Sequence, residues 1–353
     1  MTDKKILFVD ISLSGHRLPY VKALAEGNPG AIALLPEKSE EVLCKQFVMH
    51  GNYERNRNLR NYWKWLVEIC DICKAEHVDL VHFLCGDALY RFFGLGLHLI
   101  PCPIVVTYHQ MRFSPIRRIS YRRIFKASKV GIVHTDYILQ GLKSSGIMNA
   151  EKANYPIFSK EALMDKAEAK RMFGLREDIP CLVALGGITR YKGLDILLEA
   201  LKRVKLPFQL HIAGKAIDFD EAYIREQIKD YASSVVCNLR RISDEEFSAA
   251  AAAADIIVLP YRFEFEAASG PMTEGIWNRK YIVGAEHGSL GSIIRNHKLG
   301  RAFKTENPED LASVLNEVLS QGHEWTAEAE LYRESLTIEY FLSKHASIYE
   351  SAL

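Results

Sequence analysis

Short continuous apolar runs alternate along most of the chain with longer stretches in which apolar positions recur every three or four residues. The short runs at 5–11, 78–83, 104–108 and 130–135 are rich in β-branched residues. Unbroken apolar runs of this kind predict parallel strands covered on both faces. The intervening periodicity predicts helices, among them 17–26 and 62–76. From about residue 180 the rhythm restarts: strands are expected at 181–187, 209–214, 234–239, 255–261 and 281–285, and helices at 194–204, 221–232, 244–254 and 270–278. The interruption falls at Tyr155-Pro156, before a charged helix over 160–173, and the chain closes with helices at 308–320 and 325–349. A strand–helix rhythm interrupted once predicts an α/β protein of two Rossmann-like, doubly wound domains. Their expected extents are 1–158 and 159–335, with a closing helix at about 336–353 packing back onto the first. Doubly wound sheets bind ligands beyond the carboxyl ends of their strands, so the two domains are expected to face across a cleft and to carry their chemistry there.

Composition narrows the class. With 353 residues, 48% hydrophobic and 25% charged, the chain is neither disordered, nor a disulfide-stapled miniprotein, nor a coiled coil. No apolar run reaches the roughly 18 residues that span a bilayer. The opening MTDKKILFVDI enters a strand at once and carries no cleavage site, so no secretory leader is expected. Seven scattered cysteines suit reduced thiols and a cytoplasmic location. The net charge of +1 hides an asymmetry, +8 over residues 1–160 and −7 over the remainder. No acid occurs between Asp87 and Asp136, a gap that includes Arg112, Arg117, Arg118, Arg122, Arg123, Lys126 and Lys129.

Two segments of the second half carry chemistry. The first expected strand there ends in Gly186-Gly187-Ile188-Thr189-Arg190-Tyr191-Lys192-Gly193 and runs into a helix. Glycines allow a tight turn, and two cations at the mouth of a sheet suit a diphosphate; an ordinary turn with solvated cations is the competing reading. Later, Glu266-Ala267-Ala268-Ser269-Gly270-Pro271-Met272-Thr273-Glu274 leads from a strand end into a helix. Pro271 fits the first helical position, and the N–H groups of Met272 and Thr273 are expected to face an anion at the positive end of the helix dipole. Glu266 and Glu274 would then flank a phosphate and accept from sugar hydroxyls. Otherwise they are a surface charge and a dipole-stabilising acid.

Together these segments resemble the family 4 retaining glycosyltransferases of the GT-B fold. Arg190 to Ala200 is similar to the family's lysine–glycine segment, Glu266 to Glu274 to its E-x7-E spacing, and Ala253 to Pro260 to the strand before it. Val105-Val106-Thr107-Tyr108-His109 resembles the segment that ends in the family's active-site histidine, and Ser14-Gly15-His16 its first glycine loop. The resemblance implies transfer of a sugar from a UDP- or GDP-sugar, with retention and without metal or other cofactor, as in polysaccharide biosynthesis. It implies that Lys192 and Arg190 neutralise the leaving diphosphate, with Arg190 standing in for an arginine the family places where this chain has Gly187. Glu274 would hold the ribose, Glu266 a donor-sugar hydroxyl, and His109 the donor sugar from the first domain. Gly15, Gly187, Ser269, Gly270, Met272 and Thr273 would line the donor site, with Arg240 in the segment that faces the base. Ala267-Ala268-Ser269-Gly270 departs from the family's usual glycine–phenylalanine–glycine, which bears on sugar preference.

His16, Arg117, Arg118 and Arg122 are placed on the acceptor side. Interleaved with Ile116, Ile119 and Phe125, the basic run would suit an anionic membrane surface and a lipid-linked acceptor; a solvated helix and a glycan acceptor is the other reading. That would place a cytoplasmic protein at the inner face of the membrane. Nucleic acid is not expected as a partner, since the cations are confined to one segment. Asp218-Phe219-Asp220 sits in a loop before a helix rather than at a strand end, so it is not read as a metal motif. His82, His98, His134 and His211 are read as packing residues, and Cys70, Cys73 and His77 as one helix face rather than a zinc site. A nucleotide-sugar 2-epimerase and a catalytically silent nucleotide-binding subunit remain the alternatives.

Overall fold

The computed structural model describes residues 4–353 apart from 15–16, 56–57, 159–162, 230–233, 266–268 and 323. The chain divides into two units, residues 1–158 with 335–353, and residues 159–334, each built on one all-parallel sheet.

The first unit runs β1 (Ile6–Val9), α1 (Arg17–Glu26), β2 (Ala31–Leu35), β3 (Lys45–Val48), α2 (Leu59–Glu76), β4 (Leu80–Phe83), α3 (Gly86–Leu89), β5 (Ile104–Thr107), α4 (Pro115–Ala127), β6 (Val130–Val133), α5 (Asp136–Ser144) and β7 (Ala150–Lys152). Its strand order is β3-β2-β1-β4-β5-β6-β7. Every residue of β1, β4, β5 and β6 is buried, as continuous apolar runs demand when helices cover both faces. The rhythm read from sequence omits β2, β3 and β7. β2 follows so soon after α1 that the two apolar signals merge, and the edge strands β3 and β7 carry Lys45, Gln46, Glu151 and Lys152.

In the second unit come α6 (Lys166–Met172), β8 (Cys181–Leu185), α7 (Leu194–Leu201), β9 (Gln209–Ala213), α8 (Glu221–Gln227), β10 (Val235–Asn238), α9 (Asp244–Ala253), β11 (Ile256–Leu259), α10 (Gly270–Trp277), β12 (Tyr281–Ala285), α11 (Gly288–Asn296), β13 (Gly300–Phe303), α12 (Pro308–Gln321) and α13 (Ala327–Glu334). The strand order is β10-β9-β8-β11-β12-β13. The charged helix is shorter than its sequence pattern, because the Asp165 carboxylate caps α6 by accepting from the N–H groups of Ala167 and Glu168. α11 and β13 escape the periodicity: one is glycine- and serine-rich, the other an edge strand exposing Arg301.

The closing helix expected at 325–349 is two helices. α13 ends at Glu334, and α14 (Ile338–Ala352) starts afresh behind Thr337, whose hydroxyl accepts from the N–H of Tyr340. Between them the chain returns to the first unit, where the N–H of Ile157 donates to Leu336 O at 2.8 Å. α14 sinks Phe341, Ile348, Tyr349 and Ala352 into the core beside Ile6, Phe8 and Tyr20.

In each sheet the strand order reverses once, between β1 and β4 and between β8 and β11. Loops diverge there, leaving a crevice at the carboxyl ends of the strands.

Candidate functional site

The second unit's crevice gathers the Gly186–Gly193 turn and the start of α10. Gly186 has φ +97°, and a Cβ there would lie 2.7 Å from Lys192 Nζ and 3.4 Å from Pro271 Cγ. The lysine therefore folds back over its own turn toward the first residues of α10. Gly193, at φ +66°, brings the turn so close to β11 that a Cβ would stand 1.9 Å from Pro260 O. Only glycine satisfies both conditions.

Lys192 is the electrostatic centre of this corner. Burial alone pushes its ammonium down to about 8. Its Nζ lies 5.8 Å from the centre of the Tyr261 ring, and among the described residues no carboxylate pairs with it. Arg262, which the sequence reading passed over, straps the turn: its N–H donates to Tyr191 O at 2.9 Å and its Nε to Arg190 O at 3.1 Å. Its guanidinium is held by Asp195. Arg190 is exposed, and its N–H donates to Asp218 at 2.7 Å. Gly187 lies in the same turn, its carbonyl accepting from Thr189 at 3.1 Å.

At α10 the structure corrects an expectation. Ser269 is buried and caps the helix, its Oγ accepting from the N–H of Met272 at 3.2 Å while its carbonyl accepts from Thr273 at 2.9 Å. Neither N–H is left facing an anion, because a serine cap consumes the donors a bare helix start would present. Tyr261 OH fixes the cap at 3.0 Å from Ser269 Oγ. What remains for a ligand is the exposed start at Gly270, where a Cβ would meet nothing within 4 Å, and the helix dipole. Glu274 lies a turn further on, and Ser248 Oγ of α9 donates to its Oε1 at 2.7 Å. Arg240 is committed elsewhere: its guanidinium grips Glu246, which also closes the capping box of α9 at Ser243. Arg240 therefore does not present an unpaired cation to a base. Glu266, Gly15 and His16 lie outside the described residues.

In the first unit, His109 stands two residues beyond β5, 9% exposed, with its Nδ1 3.2 Å from His134 Nε2. Near it the crevice holds acids that the sequence reading did not single out. Asp10, at the end of β1, is 1% exposed and receives Arg17 Nη1 at 2.6 Å. Asp87, at the start of α3, is lifted to about 6 by burial, which outweighs Arg17 and the N–H groups of Gln110 and His109. Only the fold brings these groups together, from the end of β1 and the starts of α1 and α3.

The basic run forms α4, opened by the cap Ser114 and by Pro115. Three of its arginines are tied down: Arg117 stacks on Tyr90 at 5.1 Å, Arg118 on Phe113 at 5.8 Å, and Arg122 Nε donates to Ser145 O at 3.1 Å. The helix also exposes Ile116 and Ile119, 67% and 53% accessible, beside Arg118, Arg122, Arg123 and Lys126.

His82 and His211 are buried and hydrogen-bonded, to Tyr349, Thr107 and Asn238. His98 is exposed rather than packed. Cys73 meets Cys102, not Cys70, with the sulfurs 4.0 Å apart, and among the described residues no three metal-capable side chains converge. No described helix is long and apolar enough to cross a membrane.

Two Rossmann-like units in one chain are the architecture of the GT-B fold, and solved glycosyltransferases match it over the whole chain. Residues 165–333, nearly the whole of the second unit, match the family described as glycosyl transferases group 1. Over 336 residues the chain is 24% identical to a glycogen synthase of Fusobacterium nucleatum, covering 78% of this chain and 71% of the relative. A glycosyltransferase from Rickettsia africae has a TM-score of 0.79 at 17% identity, covering 100% of this chain and 99% of that one. The Anabaena protein HepE in complex with UDP follows at 0.77 and 14%, covering 98% and 100%.

Proposed function

We propose that the protein moves a sugar from a UDP- or GDP-sugar to a glycan or lipid-linked acceptor, retaining the anomeric configuration and using no metal. One observation carries this reading: Lys192 is desolvated, lacks a carboxylate partner among the described residues, and lies against the start of α10 at the switch point of the second sheet. A buried cation beside a helix N-terminus is built to receive charge, and a diphosphate supplies it. The UDP bound by HepE agrees with such a donor.

In this reading Lys192 and Arg190 neutralise the departing diphosphate, Glu274 holds the ribose and Glu266 a sugar hydroxyl. Gly187, Ser269 and Gly270 border the donor, and the first unit offers His109 to the sugar and Asp87 to the acceptor. The acceptor hydroxyl attacks the anomeric carbon from the side the diphosphate leaves. The carbon–oxygen bond to phosphate breaks as the new glycosidic bond forms, and the hydroxyl proton passes to the leaving phosphate oxygen. Asp218 and Asp220 each accept from one backbone N–H, of Arg190 and Tyr223 respectively. The exposed isoleucines of α4 with Arg123 and Lys126 support docking on an anionic membrane, which favours a lipid-linked acceptor at the cytoplasmic face.

Incubation with a panel of UDP- and GDP-sugars tests the reading. It expects slow release of free sugar and nucleoside diphosphate without acceptor, and the retained anomer with one. An isomerised nucleotide sugar would identify an epimerase, and binding without turnover a silent subunit.

A further inference from the structure

The first sheet sets His134 beside His109. β5 and β6 pair Thr107 with Ile132, so two further steps bring His109 opposite His134; β6 and β7 pair Val133 with Lys152, so one further step brings His134 opposite Ala153. The side chains follow that row. His134 Nδ1 lies 2.8 Å from the carbonyl oxygen of Ala153, and His134 Nε2 lies 3.2 Å from His109 Nδ1. A carbonyl oxygen only accepts, so the proton of His134 is on Nδ1. In the neutral ring Nε2 then holds the lone pair and must accept, which fixes the proton of His109 on its own Nδ1. A charged His134 would instead donate from Nε2 and fix the proton of His109 on Nε2, so the arrangement holds for the neutral ring. Tyr20 and Tyr155 wall both imidazoles edge-on, with ring centres 5.0 and 6.4 Å from His109 and 5.8 and 5.4 Å from His134.

We propose that His134 is a positioning residue for sugar transfer: it holds His109 in the Nδ1–H tautomer, so that Nε2 accepts a hydrogen bond from a hydroxyl of the bound sugar. The inference rests on the placement of His109 at the sugar, made above. It assigns a role to a residue that the sequence presents only as packing, and the carbonyl of Ala153 anchors the arrangement.

Two-bond proton–nitrogen spectra of the full chain labelled with [15N]histidine test it. In the wild type, His109 is expected to show a protonated Nδ1 and an unprotonated Nε2. His134→Phe keeps an aromatic ring but removes the acceptor; His109 is then expected to shift toward the Nε2–H form. kcat should fall about 10- to 100-fold, the scale for losing the partner that orients a functional histidine, with little change in the donor KM. His134→Gln, whose amide oxygen can accept from Nδ1–H, is expected to restore the tautomer and part of the rate. An Nε2–H wild-type His109, or an Nδ1–H form retained in folded His134→Phe, overturns the proposal. A shifted tautomer with an unchanged rate overturns the positioning role. Absence of any sugar transfer by the wild type overturns the placement of His109, and is distinguishable because the spectra still report the tautomer. The wild-type spectrum tests the tautomer whether or not a variant folds.

Discussion

Replacing Lys192 by methionine separates what its charge costs the fold from what it does for a ligand. Burial holds the ammonium at about 8, against about 10.4 in an unfolded chain. At roughly 1.4 kcal/mol per pH unit, the folded protein bears on the order of 3 kcal/mol for keeping this lysine charged. Below pH 8 both states are protonated and the whole penalty applies. It shrinks as pH rises and vanishes once the lysine is neutral in both states. Lys192→Met keeps the apolar stem, so the ligand-free protein should gain up to about 3 kcal/mol at pH 7. For a unit of this size that is a rise of roughly 6–12 °C in its unfolding midpoint. Near pH 10 the gain should be almost gone. The same variant should bind UDP poorly and turn over about 10²- to 10³-fold more slowly, having lost a transition-state charge partner. In the wild type, a bound diphosphate should restore the proton, so UDP binding at pH 8 should take up about half a proton. Calorimetry in two buffers of different ionisation heat reads that uptake. The reasoning is refuted by a variant no more stable than the wild type at pH 7, by a gain that persists at pH 10, or by buffer-independent heats.

Glu274→Gln should weaken free UDP by roughly 1.5–3 kcal/mol, the scale for a charge-assisted hydrogen bond, and an unchanged Kd by calorimetry would remove the ribose role. EDTA should leave the transfer rate intact, because Lys192 and the start of α10 supply the positive charge; loss of activity restored by Mg²⁺ or Mn²⁺ would contradict this. The protein should sediment with vesicles containing anionic lipid, less so as salt rises, at about 1 kcal/mol per cation near the surface. Ile116→Asp with Ile119→Asp should abolish that binding while sparing the stacked arginines, and a wild type that stays in the supernatant at low salt removes the support for a membrane.

The α/β class and the doubly wound architecture were legible in the chain because β1, β4–β6, β8, β11 and β12 are continuous apolar runs. A strand buried on both faces needs such a run, and that requirement is local. The turn glycines Gly186 and Gly193 and the Ser269-Gly270-Pro271 helix start were legible for the same reason, since the backbone constraints act on the residues themselves. Which polar groups remain for a ligand was not legible. The donors of Met272 and Thr273 are consumed by Ser269, whose side chain Tyr261 fixes. Arg240 is taken by Glu246, while Arg117 lies half-buried on the Tyr90 ring. The Arg262 strap reaches the Lys192 turn from a neighbouring strand, and Asp10, Arg17 and Asp87 gather from β1, α1 and α3. His134 faces His109 because β5 and β6 lie in one register, though 25 positions separate the two in sequence. A sequence lists donors, acceptors and charges one by one; their pairing and desolvation arise only when distant strands meet, and those decide which of them a ligand can use.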